Sequence, residues 1–122
     1  MKKQNKKTEE KIVDAQGRTL GRVASEVATL LMGKNSVLFQ RNIMSGSPVK
    51  VINASKIKIT AKKLEEITHL KYSGYPGGLR ITKGTETIEK KGYKELLGFA
   101  IYRMLPGNKL RRDMLKNLTV ID

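Results

Sequence analysis

The sequence predicts an α/β fold, and three observations support this prediction. A strand, a helix and a second strand follow one another within residues 12–54. A second strongly periodic helix is predicted over Tyr93–Leu105, and the closing stretch LTVID is typical of a short strand. Because two strands joined by a helix almost always form a right-handed parallel unit, the first half of the chain already favours a parallel sheet.

The first predicted strand is separated from the first helix by a glycine turn. Ile12 and Val13 begin a buried strand, Gly17 marks the turn, and Thr19 is placed to cap the helix. The helix is expected to end at Gly33. Between these limits apolar residues recur with helical spacing, at Leu20, Val23, Ala24, Val27, Ala28 and Leu31. This pattern predicts a helix with one face on a core, followed by a mixed segment containing Leu38, Phe39 and Ile43.

Two further strands are predicted in the middle of the chain. The stretch PVKVINA follows a turn-like SGS, and its apolar residues Val49, Val51 and Ile52 are typical of a buried strand. The next stretch, KIKIT, alternates, with isoleucines on one side and lysines on the other. It predicts a half-exposed strand whose basic face either meets a partner or is simply solvated.

The second half of the chain is predicted to be mainly helical. Thr85 to Lys91 is expected to form a short polar helix, and Pro106 with Gly107 ends the helix that starts at Tyr93. Asn108 is placed to cap a last helix. The apolar side of that helix carries Leu110, Met114 and Leu115, and its polar side carries Lys109, Arg111, Arg112 and Lys116.

The charge of the chain points to a polyanionic partner. Its 122 residues contain 25 Lys and Arg against 11 Asp and Glu, a formal net charge of +14. Nucleic acid is the favoured partner, with anionic membranes and acidic proteins as alternatives. Residues 1–11 are predicted to form a basic flexible arm, which is either a contact or a solvated tail, and 12–122 a single domain. No signal peptide or membrane segment is expected.

The residue types argue against an enzyme. Cysteine is absent, and His69 is the only histidine, so thiolate chemistry, zinc sites of the usual kind and a hydrolytic triad lack their residues. Gly17 and Gly21 stand four apart, which matches neither the dinucleotide nor the phosphate-loop spacing. We therefore predict no catalytic residue, no cofactor and no metal. Arg18 and Arg22, at a helix start, are candidates for holding one backbone phosphate.

The stretch KYSGYPGGLR, residues 71–80, concentrates unusual residues. Pro76 and Gly77 occupy the second and third positions of a predicted type II turn. The turn does not account for Gly74, Gly78 or the two tyrosines, nor for the flanking cations Lys71, Arg80 and Lys83. Glycines let a backbone approach a phosphate, and tyrosines stack on bases. The stretch is therefore interpreted as a nucleic-acid contact surface, with a bare turn as the alternative.

Several segments resemble the large-subunit ribosomal protein thirteen family, bacterial type. They are VDAQGRTLGRVASEVATLLMGK, VINASKIKITAKKLE, YSGYPGGL and RMLPGNKLRRDMLKNLTV, in the family's order. Two residues depart from the usual pattern, Ala61 in place of glycine and Arg111 where LGR is usual. The resemblance implies a three-layer αβα fold with a mostly parallel four-stranded sheet. It also implies a structural, non-catalytic role on large-subunit ribosomal RNA during early subunit assembly.

The residue types and the resemblance together give a set of candidate RNA contacts. The partners implied are ribosomal RNA and neighbouring large-subunit proteins; no membrane and no homo-oligomer are expected. The location implied is the cytoplasmic ribosome, with an organellar ribosome as an alternative. The candidates are Arg18, Arg22, Lys62, Lys63, Lys71, Tyr72, Ser73, Gly74, Tyr75, Pro76, Gly77, Gly78, Arg80, Lys83, Arg103, Asn108, Lys109, Arg111 and Arg112.

Two other functions stay open at this point. A small nucleotide-binding enzyme would bind a mononucleotide at the Gly17 turn, although the phosphate-loop spacing is missing. A translational repressor or RNA chaperone would act away from the ribosome. Recovery of the protein with large subunits in a sedimentation experiment separates the ribosomal function from both.

Overall fold

The computed structural model describes residues 9–37, 39–43 and 46–122. Most of the predicted basic arm, and Leu38 and Ser45 of the mixed segment, lie outside them. The elements in chain order are β1 Lys11–Asp14, α1 Leu20–Met32, β2 Val49–Ile52, a 3-10 turn Ala54–Lys56, α2 Ala61–Glu66, β3 Thr68–Tyr72, β4 Leu79–Lys83, α3 Gly84–Lys91, α4 Tyr93–Met104, α5 Leu110–Lys116 and β5 Leu118–Val120.

A parallel sheet of three strands organises the domain in the order β1, β2, β5. Its register places Val13 beside Val51, and Val51 beside Val120. These three valines are buried, because alternate residues of each strand face the helices. The predicted βαβ unit is thereby confirmed, since β1 and β2 are parallel and α1 connects them.

The core lies between this sheet and the two longest helices. Helix α1 buries the predicted apolar stripe, and α4 packs on it through the fully buried Leu97 and Ile101. Gly33 ends α1 in a left-handed conformation at φ 80°, and its N–H donates to the carbonyl groups of Thr29 and Leu30. The helix boundaries predicted from the apolar spacing are therefore confirmed for α1, and α4 ends one residue earlier than predicted.

The α/β class is confirmed, while the sheet differs from the four-stranded one that the resemblance implies. The stretch KIKIT makes a single bridge, Thr19 to Lys58, instead of a strand. The chain changes direction at Asn53, which has φ 57°, and again in the following 3-10 turn. The bridge between Thr19 and Lys58 therefore does not extend into a strand pair. The other two strands, β3 and β4, instead pair with each other as a separate antiparallel hairpin.

Helix α1 contacts β1, β2 and α4, and the residues buried among them form one core on this face of the sheet. On the opposite face the side chain of Ile12 is 66% exposed. Within the described residues, no helix is long and apolar enough to cross a membrane.

Candidate nucleic-acid interface

The β3–β4 hairpin carries ten of the nineteen predicted contact residues, nine of them at its outer end and Lys83 at its base. Lys71 lies directly opposite Arg80, and Thr68 opposite Lys83. All three cations are exposed, and no carboxylate among the described residues pairs with any of them. Because like charges opposite each other destabilise a strand pair, the Lys71–Arg80 pair is typical of a surface that receives an anion.

The hairpin closes through the predicted turn. Gly78 N–H donates to the Tyr75 carbonyl oxygen at 2.9 Å, and Gly77 has φ 74°. These are the hydrogen bond and the positive φ that a type II turn requires with Pro76 at its second position. Ser73 N–H donates to the Gly78 carbonyl oxygen at 3.3 Å, which joins the turn to the strands. The predicted turn is confirmed.

Gly74 and Gly78, which the turn did not explain in the sequence, have conformational roles. Gly74 has φ 89°, a backbone conformation that favours glycine. A Cβ on Gly78 would collide with the Ser73 hydroxyl and lie 3.0 Å from the Tyr75 carbonyl oxygen. The loop conformation therefore favours glycine at position 74, and the space for a side chain at position 78 is tight. Their contact with RNA stays a prediction, and close phosphate approach is not needed to account for them.

The two tyrosines of the hairpin are strongly exposed. Tyr72 is 65% and Tyr75 75% exposed. Tyr72 pairs with Leu79, and the neighbouring pair Leu70 and Ile81 lies on the same face of the hairpin and is also exposed. This face presents flat rings and aliphatic side chains to solvent, which suits stacking on bases or covering by a neighbouring protein.

Three predicted contacts at the junction of α4 and α5 already have partners within the protein. Arg103 Nη2 donates to the Thr68 carbonyl oxygen at 3.2 Å and ties α4 to the hairpin. The Asn108 side-chain oxygen accepts from Leu110 N–H at 3.1 Å, but the N-cap of α5 is Lys109, one residue after the predicted cap. Arg111 donates from Nε to the Pro106 carbonyl oxygen and from Nη2 to that of Leu105.

The neighbouring cations Lys109 and Arg112 are exposed and have no ion-pair or hydrogen-bond partner among residues 9–37, 39–43 and 46–122. Together with Lys116 they line a groove beside Tyr102. Lys116 lies 3.8 Å from the Asp113 carboxylate, so its charge is partly balanced. The free cations of this groove are thus Lys109 and Arg112.

The remaining candidates fall into two separate places. Lys62 and Lys63 are exposed on α2, which packs against β4 at the base of the hairpin. The Thr60 hydroxyl caps this short helix by accepting from Lys63 N–H. Arg18 forms an ion pair with Glu26 across the start of α1, while Arg22 is exposed. The structure therefore brings Lys62 and Lys63 to the hairpin and leaves the two arginines on α1.

His69 has a structural position in β3. Its ring lies 4.2 Å from that of Phe99, tilted by 32°. Burial lowers the pKa of His69 below its ordinary value of 6.5, the Arg103 charge lowers it further, and Glu95 opposes both. The side chain is therefore neutral at pH 7. Among the described residues, no group of three or more histidine or acidic side chains could hold a metal ion.

Comparison with known proteins identifies the family. The model of the family described as "Ribosomal protein L13" matches residues 8–122. The Aquifex aeolicus protein named "Large ribosomal subunit protein uL13" is 46% identical over 109 residues, which cover 89% of this chain and 75% of that protein. Proteins of the same name from Syntrophotalea carbinolica and Pelobacter propionicus are each 42% identical, over 89% and 96% of this chain and 76% and 82% of theirs.

This chain belongs to the ribosomal protein L13 family. Membership confirms the family interpretation, the structural role in the large ribosomal subunit and the prediction of a non-enzymatic protein. The bacterial relatives also agree with the predicted location on the cytoplasmic ribosome. Association with ribosomal RNA and ribosomal proteins is a property of the L13 family as a whole. The residues that make those contacts in this chain are a separate question.

Several residues that line the same region were not among the predicted contacts, namely Glu95, Phe99 and Tyr102 of α4 and Leu70 and Ile81 of the hairpin. The helical signal was present: residues 95, 98, 99 and 102 repeat at spacings of three and four, opposite the core stripe of α4. The strands THLKY and LRITK each alternate apolar and polar residues, a pattern that predicts a hairpin around the turn.

Proposed function

We propose that this L13-family protein holds large-subunit ribosomal RNA on two adjoining basic surfaces and so supports early subunit assembly. The hairpin surface consists of Lys71, Tyr72, Tyr75, Arg80 and Lys83. The α4–α5 surface consists of Arg103, Lys109, Arg112 and Lys116. The two adjoin because Arg103 donates to the first residue of β3 and Leu70 of β3 lies near Tyr102 and Leu115.

The observation that carries this proposal is the direct pairing of Lys71 with Arg80. Two cations on opposite strands repel each other, and the described residues offer neither of them an acidic partner. A phosphate group placed between them would turn this repulsion into attraction. Lys62 and Lys63 on α2 add positive charge at the base of the same hairpin.

In this proposal the protein holds RNA in place and catalyses no reaction. Phosphate neutralisation by exposed Lys and Arg supplies affinity without sequence information, and exposed tyrosines add stacking on unpaired bases. Helices α2 and α3 contact β4, α3 contacts α4, and Arg103 of α4 donates to β3, so these contacts hold the hairpin against α4. RNA segments bound to both surfaces would therefore be fixed relative to each other, which is how a small protein stabilises an early assembly intermediate.

The same proposal assigns a role to each of several individual residues. Arg22 is the better phosphate candidate on α1, since the Arg18 charge is balanced by Glu26. Arg111 and Asn108 contribute by shaping the α4–α5 surface. The exposed apolar side chains of Leu70, Leu79 and Ile81 suit a neighbouring ribosomal protein. The flexible arm, the single domain and the expectation of a monomer away from membranes stay predictions.

Salt dependence and sedimentation test the proposal. If about six phosphates are neutralised, the logarithm of the affinity for large-subunit RNA should fall with log salt with a slope of about −5. The protein in cell extract should sediment with large subunits in stoichiometric amount. A wholly free pool in the extract, or an affinity that salt does not change, would contradict the proposal.

A further inference from the structure

A cavity of about 360 Å³ lies between the β3–β4 hairpin and α4. Three rings line it, those of His69, Phe99 and Tyr102, and Arg103 and Glu95 supply its charged groups. Gly98 lies in one wall of the cavity, and a Cβ at this position would meet no atom within 4 Å, so the space beside it is open. The volume falls at the lower end of the range for small-molecule sites, roughly 300–1,000 Å³.

Arg103 supplies hydrogen-bond donors to this cavity, while the His69 ring forms part of its wall. His69 Nε2 has no hydrogen-bond partner among the described residues, but it is fully buried, so a group in the cavity does not contact it. Arg103 donates to a carbonyl oxygen at one side of the cavity, and its remaining N–H groups are available as donors.

The charges around the cavity have opposite signs inside and outside. Glu95 lies within it, 3.7 Å from the Lys91 amino group, and a carboxylate there disfavours a phosphate but accepts from an amino group. Outside, Lys71, Lys90 and Lys91 lie on one side, and the groove with Lys109 and Arg112 lies on the other. This arrangement suits a flat neutral group inside and a polyanion outside.

We infer that this cavity takes one unpaired nucleobase of the ribosomal RNA, with an exocyclic amino group directed at Glu95. The base stacks on the ring of Tyr102 or Phe99, and Arg103 donates hydrogen bonds to its edge, while the flanking phosphates meet the cations outside. This inference rests on the proposed function and adds readout of one base to binding by phosphate contacts. A protein side chain is the competing occupant, but the surrounding cations favour a polyanion over a protein.

Filling the cavity tests the inference with little risk to the fold. Gly98→Leu places an aliphatic side chain in the cavity and replaces glycine by a better helix former. Gly98→Ala is the matched control, since it improves the helix and leaves most of the space. Tyr102→Leu is a second variant, used for the same measurements if Gly98→Leu does not fold.

The first measurement is filter binding of the full-length protein to large-subunit ribosomal RNA over a range of salt. Gly98→Leu should bind about tenfold more weakly at every salt concentration, a loss typical of one base–aromatic stack. The salt slope should equal that of the wild type, because no cation is removed. Gly98→Ala should bind like the wild type. Equal affinity of Gly98→Leu and the wild type would overturn the inference.

The second measurement is dimethyl sulfate and kethoxal probing of reconstituted large subunits. With Gly98→Leu, one base should become reactive that is protected with the wild type and with Gly98→Ala. If instead all bases keep their reactivity and a neighbouring protein is lost from the subunit, the cavity holds a protein side chain and the inference fails. Failure of the wild type to bind the RNA would reject the proposed function itself, and the base site with it.

Discussion

The guanidinium group of Arg111 lies 4.3 Å from the centre of the Tyr102 ring, with Cζ above the ring face. The same group donates to the carbonyl oxygens of Leu105 and Pro106, each at 3.1 Å. Carbonyl groups at a helix end lack helical partners, so Arg111 supplies hydrogen bonds where α4 stops. An arginine proposed as an RNA contact therefore also stabilises the connection between α4 and α5.

Arg111→Ala should lower the free energy of unfolding by about 1–3 kcal/mol. The variant loses two charge-assisted hydrogen bonds and one cation–π contact, on a half-buried side chain. Urea denaturation followed by circular dichroism measures the loss.

The matched control is Arg112→Ala, because Arg112 is exposed and has no partner within the described part of the chain. Its stability should stay within about 0.5 kcal/mol of the wild type. Its RNA-binding salt slope should become shallower by about 1, as expected for one lost phosphate contact. Equal loss of stability in both variants would contradict the distinct roles assigned to these arginines.

Arg80→Glu should impair incorporation into the large subunit and leave the fold intact. The substitution places a carboxylate opposite Lys71, so the strand pair gains attraction where it had repulsion. Thermal unfolding should therefore be unchanged or slightly higher, while sucrose-gradient sedimentation shows a free pool. Arg80→Lys keeps the charge and should be incorporated normally. Loss of folding in Arg80→Glu would show that Arg80 is structural.

The stability of the protein should fall when the pH drops below the ordinary His69 pKa of 6.5. Burial lowers the pKa of His69 in the folded state, so the unfolded chain binds the proton more readily. The contribution of neutral His69 to the free energy of unfolding is fully present above pH 6.5, and it is lost as the pH falls towards the lowered folded-state pKa. Tm between pH 8 and pH 5 measures this. The variant His69→Gln, whose side chain does not titrate, should show a smaller change of Tm over that pH interval. A change of Tm equal to that of the wild type would exclude His69 as the cause of the pH dependence.

Gly77→Ala should destabilise the hairpin locally by about 1–2 kcal/mol. Gly77 has φ 74°, and an alanine side chain opposes that conformation. Hydrogen exchange at the Gly78 amide, which donates to Tyr75, should become faster, while exchange in the buried strand β2 changes little. Gly98→Ala, in a helix with free space around the position, should be neutral or stabilising. A global loss of stability from Gly77→Ala would show that the hairpin supports the core.

The elements predicted correctly are those whose apolar residues are buried with a clear period. Helices α1 and α4 and strand β2 follow this rule, and Leu97 and Val51 lie fully buried where the patterns placed them. The hairpin was missed because its alternating apolar residues, such as Leu70 and Ile81, face solvent. Apolar periodicity normally marks residues that face a core, and the apolar residues of this hairpin do not face one.

The candidate site was predictable only in part, for a different reason. The cations and the turn at Pro76 and Gly77 are local in sequence and could be identified from residue types. The contact between His69 and Phe99 joins residues thirty positions apart, and the role of Arg103 depends on a carbonyl group of β3, thirty-five positions away. Such tertiary partners turn an apparent RNA contact into a structural one, and no spacing rule reveals them.

The position of β2 in the sheet has a consequence for how the protein is made. Its two neighbours are β1, the first described element, and β5, which comes after the whole of residues 53–117. A ribosome synthesises the chain from the amino terminus, so β2 has only one partner until β5 emerges. The long loop between them must close before the sheet is complete. We therefore expect the β3–β4 hairpin, with its short local connection, to form on the nascent chain before the parallel sheet is complete.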